Sequence, residues 1–399
     1  MTGVYRELLR PPAVRRFVVT GFIGRVPMSM LGIATVLMVS GATGSYALAG
    51  AVSATMLLSQ AVTATWIARE TDRRGQAAVL RPVVLVHGCA LVAMVAAAGL
   101  SAPVWALFAT GILAGGSFPP IGSLVRARWS ARLGGNGRLP AAFALESALD
   151  ELVYVLGPLL VSALVWVWDP GAGLLCAAAV TVLGGLAFAA QRDTQPAVAA
   201  GGRAGGSVLR CPGMRVLVAG AVWLGTLIGA TEVGLVAFAA EQQRPLAAGP
   251  LLALFSVGSI LAGLAYGTWT WRVPLAHRLV VAVCALLLST LPIAASPDLL
   301  VMTVSVLVAG LAFSPALIVA YELVQEMLPS AALNQGFAWL QMALGTGLAV
   351  GAASSGGVVD ASGARNALLL PLLAGGCALA VVVTGRRSLT ASAPVPAAA

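Results

Sequence analysis

Long apolar stretches, separated by short polar segments, run along nearly the whole chain. Each is about 20 to 25 residues long, which is the length a helix needs to cross about 30 Å of hydrocarbon. The pattern therefore predicts an all-α integral membrane protein with about twelve transmembrane helices. The predicted spans are 17–40, 45–67, 83–101, 103–125, 140–167, 171–190, 216–240, 246–269, 277–296, 299–322, 336–359 and 365–384.

Composition supports this class. Hydrophobic residues make up 59% of the chain and charged residues only 9%, whereas soluble domains are about one-quarter charged. The first apolar stretch is too long for the h-region of a signal peptide, and no small-residue cleavage site follows it. We therefore expect a multi-pass protein of the cell membrane, without a cleaved leader.

The placement of basic residues predicts the orientation. The net charge is +9, and all 23 basic residues are arginines. With the N-terminus inside, nearly all of them fall on the cytoplasmic side; only Arg244 and Arg365 fall outside, and Arg25 lies within a span. This asymmetry follows the positive-inside rule and predicts that both termini are cytoplasmic. Because topology accounts for the basic charge, no nucleic-acid partner is expected.

A short repeat divides the chain in two. The segments LLRPPAVR (8–15) and VLRCPGMR (208–215) share Arg, Pro and Arg at the same spacing, and Gly157 and Gly351 occupy matching places in the fifth and eleventh spans. Chance is an alternative, because Arg-Pro commonly precedes a helix. Several regions agree in order, however, which favours two parallel six-helix repeats. This architecture is typical of secondary transporters, with the substrate site near the midplane of the bilayer.

The repeat sets the predicted domain boundaries. We expect an N-terminal half, a flexible Gly- and Ala-rich cytoplasmic linker, a C-terminal half and a disordered tail. These comprise residues 1–190, 191–207, 208–384 and 385–399, respectively.

The loop after the second span, ARETDRRGQAAVLR (68–81), resembles the hallmark loop of the major facilitator superfamily, Gly-x-Leu-x-Asp-Arg-x-Gly-Arg. Asp72, Arg73 and Gly75 match its core, and Arg81 supplies a trailing basic residue. The departures are Ala68, Glu70 and Gln76. The resemblance implies the twelve-helix fold of that family and a cytoplasmic latch at these residues, whose charges pair in one conformation and separate in another. The alternative is a solvated turn.

The fifth span carries a second resemblance. Gly157-Pro158 is similar to the Gly-Pro step of the drug:proton antiporter branch of this superfamily. Glycine allows close helix approach and proline frees a backbone carbonyl, so this step predicts a helix bend. The arginine typical of that branch is absent, because Gly111 stands in its place.

Ionisable side chains within the spans are the candidate site, because they are costly there and commonly functional. The fifth span carries Glu146, Asp150 and Glu151, of which the last two are predicted to lie nearest the midplane. Close carboxylates of this kind suit a group that binds and releases a proton. Glu146 could instead be structural, bound to Arg126 or Arg128.

Two further ionisable residues complete the candidate set. Arg25, within the first span, could pair with one of these acids or bind an anionic substrate. Glu232, in the seventh span, is the matching acid of the second half; its alternative is a pair with Arg244.

The leading functional hypothesis is a secondary transporter that works by alternating access, exporting small, moderately apolar compounds in exchange for protons. Import of a sugar or another small metabolite is the alternative. A membrane enzyme or non-transporting sensor belongs to a different class, and the chain has no HExxH motif and no Lys for a Walker A motif. The expected partners are a small molecule, protons and lipid, and we expect a monomer without metal or cofactor.

Overall fold

The computed structural model describes residues 2–134, 137–198, 208–244 and 247–390, and within these ranges all regular structure is helical. The α-helices are α1 (Thr2–Leu8), α2 (Pro12–Arg25), α3 (Pro27–Thr43), α4 (Tyr46–Arg74), α5 (Gln76–Gly99), α6 (Val104–Gly116), α7 (Ile121–Leu133), α8 (Leu139–Val167), α9 (Ala172–Ala190), α10 (Pro212–Glu241), α11 (Ala248–Tyr266), α12 (Leu275–Ala294), α13 (Leu299–Met327), α14 (Leu333–Ser362), α15 (Ala364–Ala367) and α16 (Leu370–Thr390). Three-residue 3₁₀ turns lie at Arg192–Thr194, Val208–Arg210 and Ser330–Ala332.

Within the described ranges, twelve helical segments are long and apolar enough to cross a membrane. The first combines α2 with α3, the fourth combines α6 with α7, and the last combines α15 with α16. The predicted all-α fold with twelve spans is thus confirmed.

Prolines interrupt two spans that were predicted as continuous helices. Pro27 has no N–H to donate to the carbonyl of Ile23, and the N–H of Val26 is shared at 3.2 Å between the carbonyls of Phe22 and Ile23. In the fourth span, Ser117–Pro120 separates α6 from α7. The first break lies directly beside Arg25.

Several helices extend beyond their apolar stretch. Helix α4 continues to Arg74 and α7 to Leu133, both past the predicted spans. Helix α16 continues to Thr390, into the segment predicted as a tail, and 391–399 lie outside the described residues. Hydropathy locates only the part of a helix that crosses hydrocarbon, whereas the helix itself can continue into polar sequence on either side.

The chain forms two compact units. The first unit comprises Arg6–Arg132 and Leu152–Ala204. It has a core of buried aliphatic and methionine side chains, among them Met30, Val52 and Met94, which are fully buried. Glycines bring its helices together; at Gly24, for example, an added Cβ would lie 3.5 Å from the backbone carbon of Gly184.

The second unit comprises Met1–Tyr5, Leu133–Glu151 and Gly205–Ala399. It therefore includes the first half of α8. Its helices α10 and α14 cross closely through reciprocal glycines, because a Cβ on Gly229 would meet the backbone of α14 and a Cβ on Gly351 would meet the backbone of α10 at Thr226. The halves predicted from the repeat divide the chain differently, at the linker, and their boundaries remain a prediction.

Candidate functional site

Glu151 lies at the centre of the candidate site. It is part-buried on α8, and its Oε1 accepts a hydrogen bond of 2.8 Å from the hydroxyl of Ser259 on α11. Ser256 lies one turn earlier on α11, near the same carboxyl group. An ionised carboxylate can only accept hydrogen bonds, so the Ser259 hydroxyl supplies a donor to a charged group that apolar surroundings would otherwise leave unpaired. The second unit thus holds an ionisable side chain between two spanning helices.

Glu232 shares this site. It lies on α10, in the same unit, and is close enough to Glu151 for the two carboxyl groups to interact electrostatically. The side chain of Glu232 is exposed, whereas Ser259 is only 1% exposed. The structure therefore brings together two acids that were predicted from different spans.

The other acids of α8 differ from Glu151 in surroundings. Asp150 is part-buried and adds a further negative charge near Glu151. Glu146 is completely buried. Its structural alternative, a pair with Arg126 or Arg128, stays a prediction.

Arg25 lies in the first unit at the break between α2 and α3. Only 2% of it is exposed, and its Nε donates to the carbonyl of Gly21 at 3.2 Å. Its predicted role with the acids or with an anionic substrate stays a prediction.

The serines of α11 were missed in the sequence. Ser256 and Ser259 lie three residues apart in the apolar segment LFSVGSILAG. This spacing places both hydroxyls on one face of a helix, one turn apart. Two hydroxyls on one face of a predicted span were the signal that could have identified them.

At the predicted latch, the motif charges pair in an unpredicted way. Glu70, which stands where the family motif has Leu, accepts a hydrogen bond of 3.1 Å from Arg73 and forms an ion pair with Arg74 at 2.8 Å. Asp72 is buried, with 7% exposed, and Arg81 is exposed on α5. Arg73 is thus engaged within its own helix, and a latch between helices stays a prediction.

Gly75 separates α4 from α5 in a left-handed conformation, with φ of 87°. The side chain of Gln195, at the start of the predicted linker, accepts from the first turn of α5 at Ala77, with a distance of 3.0 Å. A Cβ on Gly75 would also lie 3.3 Å from Val198. A residue with φ of this sign favours glycine, so both the turn and the docked linker segment require Gly75.

Arg128 contacts the same region through hydrogen bonds to Gln76 and Thr194. It is 1% exposed and donates from Nε to Gln76 at 2.8 Å and from a terminal nitrogen to Thr194 at 2.8 Å. Its guanidinium lies 3.7 Å from the ring centroid of Phe188. Gln76 replaces the last Arg of the family motif and accepts this bond, so Arg128 ties the motif loop to the segment after α9.

Gly157 marks a close crossing of α3 and α8. A Cβ there would lie 2.9 Å from Cβ of Ser29, and the hydroxyl of Ser29 donates to the carbonyl of Val153 at 2.7 Å. Helix α8 continues through Pro158 to Val167. The role predicted for Gly157 in close helix approach agrees with this geometry, and the bend stays a prediction.

The sequence matches no family model and no curated protein. Its fold, however, is shared with solved transporters. The human organic anion transporter TETRAN is 17% identical, with a TM-score of 0.70 over 95% of this chain and 100% of that chain. A bacterial homologue of the iron transporter ferroportin, in an outward-facing state, is 14% identical, with a TM-score of 0.74 over 93% and 98%.

The E. coli fucose:proton symporter FucP, a major facilitator superfamily transporter, is 12% identical, with a TM-score of 0.72 over 94% of this chain and 99% of that chain. At these identities the likeness establishes the fold, which is that of the major facilitator superfamily. It establishes no substrate, because a fold hosts many functions and each function depends on the site.

Proposed function

We propose that the chain is a major facilitator superfamily transporter of the cell membrane, which exports small, moderately apolar compounds in exchange for protons. The observation that carries this proposal is Glu151, an ionisable side chain in a spanning helix, bound to Ser259 of another helix and facing the charge of Glu232. Secondary transporters place substrate and coupling-ion sites on such helices, near the midplane.

The mechanism follows from what protonation does to Glu151. The ionised carboxylate needs hydrogen-bond donors, and the hydroxyl of Ser259 supplies one. The protonated acid is neutral, costs less to bury, and can itself donate. Protonation therefore changes how strongly α8 is held to α11, and a ligand that binds two conformations unequally shifts the balance between them. A proton at Glu151 can drive alternating access in this way.

Glu232 extends the site. A second acid close to Glu151 makes two negative charges unfavourable together, so a proton or a cationic group on either one favours the arrangement.

The direction of transport rests on the Gly157-Pro158 resemblance to drug:proton antiporters. Import of a sugar or metabolite is the second candidate, and the structural likeness to the fucose:proton symporter FucP favours it. The predicted latch at Asp72, Arg73, Gly75 and Arg81 serves either direction, because it acts on the conformational change.

The test is growth of an efflux-deficient bacterial host that expresses the protein, across a broad panel of toxic compounds. We expect Glu151→Gln to abolish protection at wild-type membrane abundance, because the amide cannot carry the proton. The matched control is Asp360→Asn, the same chemical change at an exposed position near the end of α14.

Protection that is lost in Glu151→Gln and kept in Asp360→Asn supports proton-coupled export. Protection that survives Glu151→Gln places the coupling group elsewhere, with Glu232→Gln as the next variant. Wild-type protein that protects against nothing argues against broad export, and proton-driven uptake of sugars into proteoliposomes then tests import.

A further inference from the structure

The first helix of the chain is attached to the end of a spanning helix far along the sequence. The hydroxyl of Tyr5 on α1 donates to the carbonyl of Leu264 on α11, at 2.6 Å and 259 positions away. Both residues belong to the second unit. Burial raises the pKa of Tyr5 to about 12, so the hydroxyl keeps its proton and remains a donor at physiological pH.

The carbonyl that Tyr5 reaches is one that the helix leaves unpaired. The last carbonyls of an α-helix have no partner within the helix. At the end of α11, the carbonyls of Gly263, Ala265 and Tyr266 accept backbone N–H groups from Gly267, Thr268 and Trp269. The carbonyl of Leu264 receives the Tyr5 hydroxyl instead, so Tyr5 supplies part of the C-terminal cap of α11.

Gly267, directly after α11, lets three elements meet at this point. A Cβ on Gly267 would lie 2.7 Å from Cβ of Ala144, 2.8 Å from Cα of Ala141 and 2.8 Å from the Tyr5 hydroxyl oxygen. No side chain fits at these distances. The first turns of α8, the end of α11 and helix α1 are therefore packed together in the second unit.

We propose that Tyr5 is a positioning residue that clamps α1 to the end of α11 and stabilises the conformation in which that end is packed against the start of α8. The N-terminal clamp is defined by Tyr5, Leu264 and Gly267. It rests on the proposed function, because alternating access requires helix ends to separate and repack.

The first test is hydrogen–deuterium exchange of the full chain in lipid nanodiscs. In Tyr5→Phe we expect amides of residues 3–8 and of 266–270 to exchange about fivefold faster, the factor that corresponds to loss of one neutral hydrogen bond. The matched control is Thr268→Val, which removes a hydroxyl bonded at 2.8 Å to Ala265 at the same helix end. It should affect only the second segment.

The second test reports position rather than stability. Spin labels at Trp269 and Arg138, in a background with the five cysteines replaced by serine, give the distance between the end of α11 and the start of α8. We expect Tyr5→Phe to raise the population at longer distance about fivefold relative to the packed one. Gly267→Ala should also raise the population at longer distance, because the added methyl disturbs the same packing although the Tyr5 hydroxyl is still present.

Faster exchange in both segments together with the population shift supports the clamp. The proposal is overturned if Tyr5→Phe leaves either the exchange of residues 3–8 or the distance distribution at the wild-type value. Neither measurement uses a substrate. A negative result for the Tyr5 clamp therefore does not bear on the export assay, and a negative export assay does not bear on the contact between Tyr5 and Leu264.

Discussion

Replacement of Gly157 by alanine tests the close crossing of α3 and α8. The added methyl would lie 2.9 Å from Cβ of Ser29 and 3.0 Å from its carbonyl carbon, whereas carbon atoms in favourable contact are about 3.5 to 4.0 Å apart. The two helices must therefore separate by about 0.5 to 1 Å. The hydrogen bond from Ser29 to Val153, now 2.7 Å, would then be near or beyond its useful limit.

The expected cost has two parts. Overpacking a close contact costs about 1 to 3 kcal/mol, and loss of a neutral hydrogen bond costs about 1 kcal/mol. We therefore expect Gly157→Ala to lower the free energy of unfolding by about 2 to 4 kcal/mol. The assay is the apparent Tm of the purified protein in detergent, compared at one scan rate because such unfolding is commonly irreversible.

Three variants separate the parts. Ser29→Ala should lose only the hydrogen bond, at about 1 kcal/mol. Gly157→Ala combined with Ser29→Gly removes the hydroxyl oxygen and Cβ of Ser29, the two atoms nearest the added methyl, and should recover part of the loss. Gly32→Ala, on α3 with open space around its Cβ, should be neutral or slightly stabilising. A Tm of Gly157→Ala equal to that of the wild type would refute the reasoning.

Two further variants test the second unit. Ser259→Ala removes a hydroxyl donor from a charged group and should reduce proton-driven efflux of an exported compound about tenfold. The control is Ser289→Ala, because the buried hydroxyl of Ser289 bonds to its own helix. Equal efflux activity in the two variants would contradict the role of Ser259. Gly351→Leu should destabilise the crossing of α10 and α14 by about 3 kcal/mol, measured as Tm. The control is Gly356→Leu, which enters open space on the same helix, and equal losses in the two would show that the crossing is not the cause.

The spans were predictable because hydropathy measures directly what a bilayer selects. Their ends were not. Arg73 and Arg74 lie outside hydrocarbon yet remain helical in α4, because Glu70 pairs with both across one turn. A window that counts apolar residues stops before such a turn.

The acids were predictable and their partners were not. A carboxylate in an apolar segment is conspicuous, so Glu151 and Glu232 were found in the sequence. A serine in an apolar helix most often bonds to its own backbone, as Ser289 does with the carbonyl of Leu286. Only the packing of α8 against α11 distinguishes Ser259 from such a residue.

Arg128 is a second residue whose partners could not be predicted from the sequence. Its sequence position explained it fully as one of the cytoplasmic arginines of the positive-inside rule. In the structure it is buried and donates to Gln76 and Thr194, which lie 52 and 66 positions away. One arginine can thus serve both membrane topology and packing, and the packing role cannot be read from the sequence because its partners are distant along the chain.

The face that α8 presents to α11 connects the two proposals. Ala141 and Ala144 pack at Gly267, and Glu151 reaches Ser259. Seven residues separate the contacts at Ala144 and Glu151 along α8, and eight separate Gly267 and Ser259 along α11, which are about 10 and 12 Å of helix. The contacts therefore follow one antiparallel seam. Movement that separates α8 from α11 at Gly267 strains the hydrogen bond between Glu151 and Ser259 at the other end of this seam. Protonation of Glu151 and release of the N-terminal clamp should therefore favour the same conformational change.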